Sequence, residues 1–117
     1  LKPVFDKTGT VTAANASTIN DGAAAVVLMS ADKARELGVK PLARIVSYGW
    51  NAQEPEWFTT APAEAMKRAM KKAGWSSKDV DLWEVNEAFA VVAMAAQKDL
   101  EIPGDRYNVW GGGISLG

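Results

Sequence analysis

Cysteine and histidine are both missing from this chain. Without cysteine there is no disulfide, no thiolate nucleophile and no thiolate-ligated metal. Without histidine the usual general base at neutral pH and the commonest transition-metal ligand are gone as well. Chemistry run within the chain would fall to Asp, Glu, Lys, Ser or Tyr, and no metal site is expected. A surplus of positive charge is also lacking: 13 Lys and Arg stand against 14 Asp and Glu. That balance argues against a nucleic-acid partner, which needs cationic side chains to neutralise phosphates. Long apolar runs are absent too. The longest, Ala23–Met29, is far short of the roughly 20 residues that span a bilayer, so no membrane partner is expected. Leu1–Asp6 does not have the charged-then-apolar layout of a signal peptide. There is no initiating Met, and Gly111–Gly117 ends in what reads as a loop; both ends are expected to be cut from a longer protein.

What is present belongs to an ordinary globular chain. Its 117 residues are 48% hydrophobic and 23% charged, enough for one domain. Strand-like and helix-like segments alternate. Asn20-Asp21-Gly22 marks a turn, and the unalternating run to Met29 predicts a strand covered on both faces. Ser30 is placed to cap a helix over Ala31–Leu37, stopped by Gly38, and 43–48 reads as a second strand. Residues 49–60 are the least regular. A helix is expected from about Pro62 to Ala73, where Met66, Ala69, Met70 and Ala73 share one face. Its other face carries Lys67, Arg68, Lys71 and Lys72, most simply a solvated surface. Residues 81–85 suggest a strand, 87–98 an almost wholly apolar helix suited to burial, and 107–110 a last strand. The order predicts an α/β sandwich with a mixed or parallel sheet and covering helices.

Three segments are candidates for chemistry. Asn86-Glu87-Ala88-Phe89 falls where a strand should hand over to a helix, the edge at which α/β folds place ligands. Locally, Asn86 reads most simply as a helix N-cap and Glu87 as a first-turn acid facing the helix dipole. The small residues of 10–17 allow close approach by a ligand, although a structural turn is the commoner use of such a run. Gly111-Gly112-Gly113 could cradle an anion through its amides, but it matches neither the dinucleotide fingerprint nor the P-loop. The acidic residues show no spacing that demands a carboxylate pair, and the five Trp residues suit packing.

Taken in order, Phe5–Ser17, Asn20–Ala25, Pro41–Ile45, Asn86–Ala90 and Asn108–Gly117 closely resemble an internal stretch of the thiolases. The resemblance runs the length of the chain and replaces the local readings. It implies a partial thiolase-like α/β sandwich. Residues 1–22 would close the preceding half and 23–117 would form the first part of the C-terminal domain. It also implies acyl transfer between CoA thioesters, in a degradative (β-oxidation) or a biosynthetic enzyme, with CoA thioester as substrate and no separate cofactor. Asn86 matches the family's Asn that positions a water in an oxyanion hole; the related ketoacyl synthases use His there. Ser17 matches a residue beside the pantetheine arm, and Phe5, Ala13, Ala88 and Phe89 match positions lining the CoA tunnel.

The family's two catalytic Cys residues fall outside this stretch, and its Gly-His-Pro motif would begin at Gly117. This chain alone is therefore expected to be inactive. A non-catalytic thiolase-like module binding CoA or another protein is the alternative. Trp110 stands where many members carry a small or polar residue, and Gly113 where Ala is common. The family implies a homodimer or tetramer, and a cytoplasmic location is the default expectation.

Overall fold

The computed structural model describes residues 1–117. Three α-helices organise it: α1 (Ala31–Glu36), α2 (Ala61–Ala73) and α3 (Ala90–Asp99). Short 3₁₀ turns at Pro55–Thr60, Ser77–Asp79 and Gly104–Arg106 connect or flank them.

Local chemistry explains two of the helices. The Ser30 hydroxyl accepts from the Lys33 amide at 3.1 Å and starts α1. In α2, Pro62 lies in the first turn, where its missing N–H costs nothing, and Gly74 closes the helix in a left-handed conformation at φ 73°. The stripe Met66 and Met70 packs on a small core of Trp83, Leu100 and Ile102, joined by Val80 and Tyr107. The remaining buried side chains are Ala34, Ala63, Val85 and, on α3, Val92, Ala93 and Ala96. Tyr107 ties α3 to this core by donating its hydroxyl to the Ala93 carbonyl at 2.7 Å.

The expected sheet is not formed within the chain. Strand pairing is limited to two isolated bridges, Ala16 antiparallel to Phe89 and Trp83 parallel to Tyr107. The segment 23–29, expected to be a strand buried on both faces, has no regular secondary structure and no backbone–backbone hydrogen bond. Val26, Val27 and Leu28 are 81%, 85% and 71% exposed. The physical reason is simple: a strand needs an adjacent backbone, and no other part of the chain lies beside this one.

Residues 43–48 likewise have no regular secondary structure and no ladder. Side chains lash the end of this segment to α2 instead. Ser47 donates to the Ala69 carbonyl at 2.7 Å, Lys72 to the Tyr48 carbonyl at 3.0 Å, and Arg68 to the Trp50 carbonyl at 3.1 Å. The Lys72 ammonium also lies over the Tyr48 and Trp50 rings, 4.5 and 4.9 Å from their centroids. The basic face of α2 is thus only partly a solvated surface. Gly49 permits the contact, because a Cβ there would sit 2.6 Å from the Ala65 carbonyl oxygen and 2.9 Å from the Ala69 nitrogen. Of the five Trp residues only Trp83 is buried.

A radius of gyration of 17.3 Å and extents of 59 × 32 × 30 Å follow from these unpaired arms. A compact chain of this length has a radius of roughly 13 Å. No helix is long and apolar enough to cross a membrane.

Candidate functional site

The bridge between Ala16 and Phe89 builds the site. The Ser17 amide donates to the Ala88 carbonyl at 3.0 Å and the Ala90 amide to the Asn15 carbonyl at 2.9 Å. The Ser17 hydroxyl adds a second bond to the same Ala88 carbonyl at 3.2 Å. Ser17, Ala88 and Phe89, all half-buried, are therefore brought together from opposite ends of the chain.

The preceding loop is shaped for this junction by its own side chains. The Asn15 carboxamide accepts from the Thr12 amide at 2.8 Å and donates to the Thr10 carbonyl at 2.9 Å. Ala13 lies exposed on that turn, and Phe5, 79% exposed, lies on the opening loop. No hydrogen bond or ring contact joins either to the Asn86 turn.

The bridge also corrects the local reading of Asn86. The bridge holds Phe89 extended against Ala16, at φ −138° and ψ 153°, so it precedes the helix and α3 begins only at Ala90. Asn86 is consequently not an N-cap, and Glu87 is not in the first turn. The Asn86 carboxamide is exposed and makes no hydrogen bond within the chain. It hangs over the glycine loop, with Oδ1 2.8 Å from where a Cβ on Gly113 would stand.

Glu87 turns the other way. Its carboxylate lies inside the glycine loop, where Oε2 accepts from the Ile114 amide at 3.4 Å and Oε1 lies 3.5 Å from Asn108 Nδ2. A Cβ on Gly112 would collide with that carboxylate. The loop whose amides could have cradled a foreign anion thus encloses an internal carboxylate. Glu87 also acts on Tyr107: burial first, and then the Glu87 charge, push the phenol above its ordinary value.

Two further residues belong here and were missed in the sequence. Phe58, from the 3₁₀ turn in the irregular stretch, meets Phe89 edge to face at 6.3 Å between centroids. Only its aromatic character hinted at packing. Asn108 pairs through its side chain with the Val85 backbone, accepting from the amide at 2.7 Å and donating to the carbonyl at 3.0 Å. Nothing local signals a contact spanning 23 residues. No group of three or more acidic side chains is placed to hold a metal ion.

The arrangement is an exposed, unpaired carboxamide beside a glycine loop, with an aromatic and small-residue wall reaching to Ser17. It can orient a water or an oxygen atom by hydrogen bonding. It contains no Cys thiolate and no His imidazole.

An acetyl-CoA acetyltransferase of Schizosaccharomyces pombe is 55% identical over 117 residues, covering 100% of this chain and 30% of the relative. A mitochondrial acetyl-CoA acetyltransferase of Bos taurus is 56% identical over 118 residues, covering 100% of this chain and 28% of the relative. The crystal structure of human mitochondrial 3-ketoacyl-CoA thiolase superposes with a TM-score of 0.95 at 48% identity, over 100% of this chain and 30% of that one. The chain therefore spans about 30% of the length of the relatives it matches.

Relatives from cattle, rat and mouse bear mitochondrial names, which overturns the cytoplasmic expectation. That expectation was a default and rested on no residue of the chain. The N-terminal thiolase domain matches residues 1–32 and the C-terminal thiolase domain residues 39–117. With most of its length inside the second of these, the chain belongs to the thiolase family, whose solved members have an α/β fold.

Proposed function

We propose that this chain is a segment of a complete thiolase that transfers acyl groups between CoA thioesters, with acetyl-CoA as the small product or donor. The observation that carries the reading is the unpaired Asn86 carboxamide held beside the glycine loop. An oxyanion hole requires donors that are fixed before charge develops and not already spent on the protein. Asn86, through a water held by its carboxamide, would meet the developing thioester enolate or oxyanion. Ser17, Ala88 and Phe89 would line the pantetheine arm, with Phe5 and Ala13 further along the tunnel wall. The names of the relatives, acetyl-CoA acetyltransferase and 3-ketoacyl-CoA thiolase, support this substrate class.

Two finer points belong to the same proposal. Residues 23–29 and 43–48 become strands of a mixed sheet when the rest of the protein lies beside them. Their apolar and unpaired state supports that reading. In the same reading, residues 1–22 close the first thiolase half and 23–117 open the C-terminal domain, and the complete protein is a homodimer or tetramer.

The test is thiolysis of acetoacetyl-CoA by the full-length protein and by residues 1–117 alone. The expected outcome is turnover by the first and none by the second, which has neither Cys nor His. An inactive full-length protein that still bound CoA would favour a non-catalytic module, and turnover by the short chain would remove the account of what it lacks.

A further inference from the structure

We propose that Asn108 and Glu87 are positioning residues that act through Asn86, clamping the residues on either side of it to the glycine loop. The inference rests on the reading of Asn86 just given. Asn86 itself makes no hydrogen bond within the chain, so its aim is set by its neighbours. On the upstream side, the Asn108 side chain takes both polar groups of Val85, at 2.7 and 3.0 Å. It extends a pairing the backbone has begun, in which the Trp83 amide donates to Arg106 and the Asn108 amide to Trp83, both at 2.8 Å.

Asn108 reaches this position only because its backbone is left-handed, at φ 45°, a conformation that Asn tolerates better than most residues. On the downstream side Glu87 is gripped by the loop, through the Ile114 amide at 3.4 Å and the Asn108 carboxamide at 3.5 Å. One side chain, Asn108, thus touches both flanks of Asn86. Movement of the glycine loop is transmitted to the Asn86 carboxamide through two short connections.

The chemistry of the pairing selects the side chains. Aspartate at 108 could accept from the Val85 amide but could not donate to its carbonyl, and it would face the Glu87 carboxylate with like charge. Glycine at 108 keeps the left-handed backbone and loses the side chain alone. Glutamine at 87 keeps an acceptor for Ile114 without the charge.

The experiment measures acetoacetyl-CoA thiolysis by the full-length protein carrying Asn108→Gly, Glu87→Ala, Glu87→Gln, Asn86→Ala and the double variant Asn86→Ala/Asn108→Gly. A displaced reacting group costs on the order of 100-fold in rate. We expect kcat to fall about 10- to 100-fold in Asn108→Gly and Glu87→Ala, with KM changing less than about threefold. Glu87→Gln should recover most of that loss. Amide exchange at Val85 and Ile114 should accelerate, whether or not a variant turns over.

The double variant should be no slower than Asn86→Ala alone, because residues acting as one unit are not additive. Additive losses, or unchanged exchange at Ile114 in Glu87→Ala, would overturn the positioning role. If Asn86→Ala has full activity, the oxyanion reading fails and this inference falls with it. If only Asn86→Ala is impaired, that reading stands and the clamp is refuted.

Discussion

Residues 61–109 and residues 18–50 are written in the same α/β style, yet the chain treats them differently. The first region buries Trp83, Val85, Val92, Ala96, Leu100 and Ile102 around two helices. The second exposes Val26, Val27, Leu28 and Ile45 along backbone without regular secondary structure. Apolar composition is therefore not what separates them. The first contains its own partners within a short span, whereas the apolar run of the second stays exposed and unpaired within the chain. The site sits where the packed region meets the opening loop, which is why its upstream wall, Ser17, is held by a single bridge.

A charge placed in each region breaks the comparison most sharply. Ala96→Asp puts a carboxylate at a position 1% exposed and should destabilise the protein by at least about 3 kcal/mol. Val27→Asp should change the stability of this chain by less than about 0.5 kcal/mol, yet impair folding of the full-length protein. Urea titration of both lengths checks this. Equal effects at Val27 in the two lengths would mean that nothing covers that segment.

Gly49→Ala tests the lashing between the regions. Its Cβ would meet the backbone of α2, atoms that cannot swing aside, so a loss of about 1–3 kcal/mol is expected. Trp50 emission should shift as the segment lifts off. Lys72→Met is milder: it removes one hydrogen bond and two ring contacts at an exposed site, and about 0.5–1 kcal/mol should be lost.

The smallest effect is at alkaline pH. The Tyr107 phenol is raised above 10.0 by burial and by Glu87, so its neutral form favours the folded state. That contribution is complete below the unfolded value and is lost as pH rises through the folded one. Stability should therefore decline as pH rises above about 10, and Tyr107→Phe should flatten the decline. A variant with the same slope would show that Tyr107 does not carry it.

Sequence alone made the helices readable where the determinants are local. Ser30 and Gly74 mark the start of α1 and the end of α2 because a cap needs only its own turn. The strands were unreadable as outcomes, since 23–29 has strand character but pairing needs a neighbouring backbone, which a local pattern does not report. The start of α3 was misplaced for a related reason. The Ala16–Phe89 bridge keeps residues 87–89 out of the helix, and no local pattern announces a partner more than 70 residues away. Family resemblance singled out Asn86, while its free carboxamide, the inward Glu87 and the Asn108 bonds to Val85 became visible only in three dimensions.

The most direct test of the central claim is Asn86→Ala in the full-length protein, with thermal unfolding and acetoacetyl-CoA thiolysis measured on the same preparation. Loss of an oxyanion-hole donor should lower kcat by about 100- to 1,000-fold, while the unfolding midpoint stays within about 2 °C, since the side chain bonds to nothing in the chain. Unchanged kcat would contradict the account and remove Asn86 from the oxyanion hole.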